Sequence, residues 1–119
     1  MDKTKMLADM LEKYSIYRFR ISFLEKEKQT KSNENSGGEL EGVDKELAQI
    51  RYLTETIDTS LELVREFNER YKIILESFYI HKVRMEDIAE MIHTSRSRCY
   101  ELCKEALGFM ARIVFGEDG

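Results

Sequence analysis

Apolar residues recur at steps of three and four along the N-terminal part of the chain. The stripe consists of Met6, Met10, Tyr14, Tyr17, Ile21 and Leu24. This spacing lines apolar side chains along one face and predicts an amphipathic helix over residues 1–31. The next stretch, TKSNENSGGELEG at residues 30–42, is polar and contains glycine, which predicts a flexible linker over residues 32–42.

A second apolar stripe alternates the same steps through the middle of the chain. Its members are Leu40, Val43, Leu47, Ile50, Thr54, Ile57, Leu61, Val64, Asn68, Tyr71, Leu75 and Phe78. This heptad pattern predicts a helix over 43–66, either as a coiled-coil arm or as one part of a broken segment. An unbroken helix over the whole stripe would be about 57 Å long, which is too long for a compact small domain. Asn68 resembles a helix N-cap, so we predict a break near 66–68, with a softer alternative at 58–60.

The C-terminal third predicts three more helices, over about 69–80, 85–92 and 95–114. The first connection is residues 81–84, and the second, His93-Thr94, is very short. The chain contains no proline, so no helix is obliged to break, and it lacks strand-like alternation bounded by turn residues. We predict an all-α fold in which an N-terminal amphipathic helix and a long second helix precede a helix-turn-helix domain at 67–116.

Residues 85–107, MEDIAEMIHTSRSRCYELCKEAL, have the spacing of a helix-turn-helix. Two helices that cross steeply through a tight turn need small or apolar residues at fixed places. Ala89 lies where the second helix approaches the first, and inward-facing neighbours are expected at Ile88, Ile92, Cys99, Leu102 and Cys103. Ser95 is placed as the N-cap of the second helix, with Thr94 as the other candidate. His93 occupies a turn position that favours glycine because φ is often positive there, a region that His tolerates better than most residues.

Between these anchors the second helix exposes a polar face suited to DNA. The predicted contact residues are Ser95, Arg96, Ser97, Arg98, Tyr100, Glu101 and Lys104. The arginines supply forked donors for guanine edges and phosphates, and the hydroxyl groups suit backbone contacts. Because cations at a helix N-terminus oppose its dipole, the placement of Arg96 and Arg98 favours phosphate contact over an ordinary solvated helix start. Tyr100 has the alternative of packing on the first helix. Glu101 has the alternative of pairing with Lys104 or with neighbours of Glu105, rather than reading a cytosine.

Several short motifs in residues 67–116 occur together in a known pattern. An aromatic pair at Phe78-Tyr79 is followed by an IAE helix, by S-x-S-x-x-Y at the start of the recognition helix, and by an AL…FG tail. The matching residues are Ser95, Ser97, Tyr100, Ala106, Leu107, Phe115 and Gly116. This region resembles region 4 of sigma factors, and more closely the phage and prophage late-gene transcriptional regulators of the ArpU/RinA type. The resemblance covers under half of the chain. It implies sequence-specific binding of double-stranded DNA upstream of phage genes, activation of transcription, and a DNA-facing position for the residues predicted above.

Composition narrows the class of protein further. The 119 residues carry 19 Lys and Arg against 23 Asp and Glu, a net charge of −4. This balance argues against an unspecific nucleic-acid coat protein but leaves room for a local DNA-binding patch. No apolar run approaches the length of a membrane span, and the N-terminus lacks the apolar region of a signal peptide. We therefore expect a cytoplasmic protein with no membrane partner.

The two cysteines, Cys99 and Cys103, fall on one face of a predicted helix. With His81 and His93 nearby they suggest a zinc site, but their spacing within one continuous helix is poor geometry for four ligands. Buried free thiols are the favoured interpretation. The sequence offers no nucleophilic constellation and no glycine-rich phosphate loop, so we expect no catalytic residue, no metal, no cofactor and no enzyme.

Three functions remain open. The first is a DNA-binding regulator. A lone helix-turn-helix offers only about 600–1,000 Å² to DNA, so a homodimer through residues 3–30 and 40–64, or contact with RNA polymerase, is expected. The second is a sigma-like adaptor or anti-activator that acts on RNA polymerase without reading DNA, which the acidic residues around 86–90 favour. The third is a phage terminase small subunit, which also joins a helix-turn-helix to a coiled coil and forms a large ring.

Overall fold

The described residues form helices and no strand, which confirms the predicted all-α fold. The structure is a computed structural model that describes the backbone of residues 2–34 and 37–116 and the side chains of residues 2–31 and 40–116. The helices are α1 (Lys3–Glu12), α2 (Tyr14–Glu34), α3 (Gly37–Phe67), α4 (Glu69–Leu75), which continues as a π-helical turn (Glu76–Ile80), α5 (Met85–Met91) and α6 (Arg96–Phe115). Across this described part of the chain, no helix has the length and apolar character needed to cross a membrane.

The N-terminal segment is two helices rather than the one predicted over residues 1–31. The break lies at Lys13, between α1 and α2. Helical hydrogen bonds nevertheless run into and out of this residue, from Lys13 N to Asp9 O at 3.1 Å and from Tyr17 N to Lys13 O at 2.9 Å. The break is therefore a local distortion within a helix whose hydrogen bonds continue through it, and α1 packs on α6 whereas α2 packs on α3.

The apolar stripe of α1 differs from the predicted one by one residue. Leu7 and Leu11 are fully buried, whereas Met6, a member of the predicted stripe, is exposed. The predicted members further along do face the rest of the protein, and they are Met10, Tyr14, Tyr17, Ile21 and Leu24. Because α1 carries apolar residues at both phases, spacing alone could not decide which phase is buried.

Residues 32–42 are helical wherever the structure describes them. α2 extends to Glu34, and α3 begins at Gly37. The prediction of a flexible linker is therefore wrong for residues 32–34 and 37–42, and residues 35–36 lie outside the described residues. Glycine and polar residues lower helix propensity by only about 1 kcal/mol each or less, and helices in proteins are stabilised chiefly by tertiary packing.

α2 and α3 pack against each other as an antiparallel pair. The Tyr14 hydroxyl, at the start of α2, donates to the Asp58 carboxylate at 2.5 Å, and Lys28, near the other end of α2, pairs with Asp44 at 2.7 Å. Burial and this hydrogen bond raise the pKa of Tyr14 to about 12. The two stripes predicted as an oligomerisation surface thus face each other within the chain, and a second copy would have to use other faces of these segments.

α3 passes without a break through residues 58–60 and ends at Phe67, which confirms the predicted break near 66–68. Asn68 is extended, and its side-chain oxygen accepts a hydrogen bond from Arg70 N at 3.1 Å, so it caps α4 as predicted. The heptad stripe faces the protein interior, with these members fully or nearly buried: Val43, Leu47, Thr54, Ile57, Leu61, Val64 and Leu75. The stripe packs on α2 and on the C-terminal helices of the same chain.

One hydrophobic core joins the N-terminal helices to the C-terminal ones. Its buried members come from α1, α3, α4 and α6: Leu7, Leu11, Ile57, Leu61, Val64, Leu75, Ala106, Leu107, Met110 and Ala111. A second cluster lies between α4, α5 and α6: Ile74, Met85, Ile88, Ala89, Ile92, Cys99, Leu102 and Cys103. The boundary that the sequence predicts at residue 67 therefore passes through a shared core.

The three C-terminal helices lie where the sequence predicts them, within one residue at each end. The difference is inside the first, whose last five residues form a π-helical turn closed by the bond from His81 N to Glu76 O at 2.9 Å. Lys82 follows in a left-handed conformation, with φ 58°. Its ammonium group donates to the backbone oxygen of Glu12 at 3.4 Å, which places a positive charge at the C-terminus of α1.

Candidate functional site

The turn between α5 and α6 ends α5 with a left-handed residue. His93 has φ 58°, as its glycine-favouring position predicts. The N–H of His93 donates to the oxygen of Glu90 at 3.2 Å, and the N–H of Thr94 donates to the oxygen of Ala89 at 2.9 Å. This pair of bonds closes the helix as a Schellman motif and satisfies two carbonyl groups that the helix end would leave unpaired. The turn thereby fixes the point at which α6 begins.

Ser95 caps α6, as predicted. Its backbone is extended, and its hydroxyl accepts a hydrogen bond from Arg98 N at 3.1 Å. The other candidate, Thr94, instead takes part in closing α5 through its N–H. The first turn of α6 is therefore held in place from both sides, by the end of α5 and by its own cap.

The predicted inward-facing anchors are all buried between α5 and α6. They are Ile88, Ala89, Ile92, Cys99, Leu102 and Cys103. They confirm which face of α6 packs on the protein. The residues between them on α6 consequently face outward.

Cys99 and Cys103 are free thiols within this packed cluster. Burial raises the pKa of Cys103 to about 11 and also raises that of Cys99. Their contribution is that of small apolar side chains that hold α6 in place. Among the described residues, no group of three or more His, Cys, Asp and Glu side chains is placed to hold a metal ion.

The outward face of the first half of α6 carries all seven predicted contact residues. Ser95, Arg96, Ser97, Arg98, Tyr100, Glu101 and Lys104 are each exposed. The Tyr100 side chain is 46% exposed, and the Arg96 guanidinium lies over its ring, 5.5 Å from the centroid. Tyr100 is thus part of the polar face rather than of the packing between α5 and α6.

Carboxylates partner both arginines of this face. Arg96 Nε lies 3.1 Å from Glu86 Oε1, so this pair joins the start of α6 to the start of α5. Arg98 Nη1 lies 2.9 Å from Glu101 Oε2 and 3.8 Å from Glu105 Oε1, along α6 itself. Glu101 therefore pairs with Arg98 and not with Lys104. The sequence singled out the acidic residues around 86–90 only as favouring an adaptor, and the pairing of Glu86 across the turn becomes visible only when the two helices are brought together.

The balance of charge around this face is nearly even. Residues 67–116 contain eight Lys and Arg and seven Asp and Glu, a net charge of +1 in a chain whose total is −4. The side chains in the Arg96 and Arg98 pairs are about half exposed or more. Such pairs can exchange a carboxylate for an external anion at small cost because solvent screens them.

A second exposed feature lies beside this face, where α4 meets α6. Phe67 and Phe109 stack with ring centroids 4.2 Å apart, and Tyr71 lies 6.0 Å from Phe67. Phe67 is largely exposed. These rings and Lys104 line a shallow groove of about 450 Å³. No sequence pattern predicts this groove, because the three rings lie on three different helices and come together only in the folded chain.

The architecture is that of an all-α protein with a C-terminal pair of helices joined by a tight, capped turn. No family model, no curated protein and no solved structure matches this chain.

Proposed function

We propose that this protein is a sequence-specific DNA-binding transcription regulator that reads the major groove with the helix beginning at Ser95. One observation carries the proposal. The first half of α6 is anchored from behind by Cys99 and Leu102, while forked donors, hydroxyl groups and an aromatic ring project outward from it. This arrangement is what a recognition helix needs, because a helix inserted into the groove presents its N-terminal residues to base edges and phosphates.

One part of the proposal is that the protein activates phage or prophage genes. This part rests on the resemblance of residues 67–116 to the ArpU/RinA-type regulators. Binding to duplex DNA itself rests on the exposed face. The two parts can be tested separately, since affinity for DNA is measured without any promoter or polymerase.

The intramolecular pairs of Arg96 and Arg98 are compatible with this role. Exposed ion pairs contribute about 0–1 kcal/mol, whereas a bidentate contact between an arginine and a guanine contributes about 1–3 kcal/mol of discrimination. DNA binding would replace the carboxylates of Glu86 and Glu101 with phosphates or base edges.

The experiment is selection of bound sequences from random duplex DNA at about 150 mM salt, a concentration that suppresses non-specific attraction. Affinity for the selected site is then measured for the protein and for the double variant Arg96→Ala/Arg98→Ala. We expect the variant to bind at least tenfold more weakly. The slope of log affinity against log salt concentration should become shallower by about one unit for each phosphate group that the variant no longer neutralises. Far-UV circular dichroism should be unchanged.

Arg65→Ala is the matched control. Arg65 is also exposed and also pairs with a glutamate three residues away, Glu62, at 3.0 Å, but it lies on α3. Its loss should leave DNA affinity unchanged. Equal affinities for the double variant and the control, or failure to enrich any sequence, would reject DNA reading by α6.

The second candidate is a sigma-like adaptor that acts on RNA polymerase without reading DNA. The observations that favour it are the carboxylates on both arginines and the exposed Phe67–Phe109 stack beside Lys104. In this case Phe67→Ala should abolish capture of a polymerase subunit, while no salt-dependent binding to duplex DNA is measured.

A further inference from the structure

α2 carries a second apolar stripe outside its buried contact with α3. Ile16, Phe19 and Phe23 are 65%, 75% and 56% exposed, and we call these three residues the outer stripe. They lie at steps of three and four, so they share one helix face. The face that packs on α3 is made of other residues, including Ile21 and Leu24. No other helix packs on the outer stripe in the described part of the chain; its nearest neighbours are the Arg20 guanidinium, 5.3 Å from the centroid of the Phe23 ring, and a shallow cavity between α2 and α3 that Phe19 borders.

Beyond each end of the outer stripe, the same steps of three and four lead to a charged residue, and the two charges have opposite signs. Glu12 precedes Ile16 by four residues, and Lys26 follows Phe23 by three. Both are exposed, and neither side chain forms an ion pair with the described part of the chain, whereas neighbouring Lys13 and Lys28 are paired with Asp9 and Asp44. Because helical hydrogen bonds continue through Lys13, Glu12 stays in helical register with Ile16 although it lies on the other side of the break.

We propose that the outer stripe is the contact of a homodimer in which α2 of one copy lies antiparallel to α2 of a second copy. In this register Phe19 of each copy packs on Phe19 of the other, and Ile16 of each copy packs on Phe23 of the other. Glu12 of each copy then lies within reach of Lys26 of the other, so each end of the contact has an ion pair. A parallel arrangement would place Glu12 beside Glu12 and Lys26 beside Lys26.

The area of the outer stripe fits this occupant. With about 150–250 Å² for a whole aromatic side chain, the exposed parts of the two phenylalanines and the isoleucine amount to roughly 350 Å² in each copy. Such a patch is in the range of functional apolar patches on small proteins. Two copies of it bring together roughly 700 Å² of apolar surface. With the flanking helix surface, the contact falls among the small, reversible interfaces of less than about 1,200 Å². The contact is isologous, so it closes at two copies.

The experiment is the mass of the full chain in solution, by sedimentation equilibrium or light scattering, at about 1–100 µM, the range in which an interface of modest size assembles. We expect a dimer. Phe19→Glu should give a monomer with an unchanged circular dichroism spectrum, because Phe19 is mostly exposed. Tyr52→Glu is the matched control, since Tyr52 is an aromatic residue 70% exposed on α3, and it should remain a dimer.

A charge exchange tests the register. Glu12→Lys should weaken the dimer, and Glu12→Lys/Lys26→Glu should restore it. A monomer throughout the concentration range, a larger ring, or equal effects of Phe19→Glu and Tyr52→Glu would overturn the proposal. Failure of the double exchange to restore assembly would overturn the antiparallel register. Because no DNA is present, these outcomes are independent of whether α6 reads DNA.

Discussion

At the scale of single residues, the path of the chain around α6 depends on two left-handed positions, Lys82 and His93, each with φ 58°. A left-handed conformation costs about 1–2 kcal/mol for a residue with a β-carbon, and glycine avoids that cost. The side chain of His93 is exposed, so little burial offsets it. The turn between α5 and α6 is thus formed at the cost of backbone strain in His93.

Replacement of this residue tests that view. His93→Gly should raise the free energy of unfolding by about 0.5–1 kcal/mol, because the gain from relieved strain exceeds the added entropy of the unfolded chain. The measurement is urea denaturation followed by circular dichroism. His81→Gly is the control, because His81 is also exposed and also ends a helix, but has φ −91°. A gain of equal size at both positions would contradict the role given to the left-handed turn.

Residues at helix ends were predictable because their chemistry is local. Asn68 and Ser95 each supply a side-chain oxygen to a backbone N–H two or three residues ahead, and few residue types can do so. Lys82 was not predictable, since lysine has no preference for a positive φ. The π-helical turn before it, Glu76–Ile80, has no residue signature that distinguishes it from an ordinary helix.

At the scale of elements, periodicity predicted the type of each helix but not always the face that it buries. The predicted stripe of α3 was correct because apolar residues keep its spacing over many turns, whereas the opposite face carries only separate ones such as Tyr52 and Leu63. α1 and α2 carry apolar residues on more than one face, so spacing could not separate buried Leu7 from exposed Met6, or the α3-facing side of α2 from the outer stripe. Only the packing of α1 on α6, and of α2 on α3, decides between them.

The pairing between α5 and α6 leads to a prediction about affinity for DNA. Glu86 lies 3.1 Å from Arg96 and 3.9 Å from Arg84, so its carboxylate competes with phosphate for two guanidinium groups. Glu86→Gln removes that charge at constant size. If α6 reads DNA, affinity for the selected site should rise about two- to fivefold, which corresponds to the roughly 0.5–1 kcal/mol of an exposed ion pair.

Glu62→Gln is the control for this charge change. Glu62 pairs with Arg65 and Lys72, at 3.0 and 3.2 Å, and lies on α3 outside the candidate interface. Its substitution should change affinity less than Glu86→Gln does at the same salt concentration. A fall in affinity with Glu86→Gln would indicate that this carboxylate positions Arg96 for DNA rather than competing with it.

At the scale of the whole molecule, the candidate recognition helix depends on the N-terminus. Leu11 on α1 and Leu61 on α3 are in the same core as Leu107 and Met110 on α6. The predicted DNA-contacting residues lie within residues 67–116, and the sequence predicts that segment as a domain. Long-range burial, which no local pattern reveals, makes its stability depend on residues far earlier in the chain.

A substitution in α1 should therefore weaken the C-terminal helices. Leu11 is fully buried, so Leu11→Ala should lower the free energy of unfolding by about 2–5 kcal/mol. Met6→Ala, an exposed position on the same helix, should change it by less than about 0.5 kcal/mol. Urea denaturation followed by the fluorescence of a reporter attached at Lys104→Cys, on α6, would detect the loss there, since the native thiols are buried. If α1 and α6 share one cooperative core, this reporter and circular dichroism must give the same midpoint, shifted by Leu11→Ala and not by Met6→Ala. A reporter midpoint unaffected by Leu11→Ala would mean that the C-terminal helices fold without α1, and that the boundary at residue 67 separates two cooperative units after all.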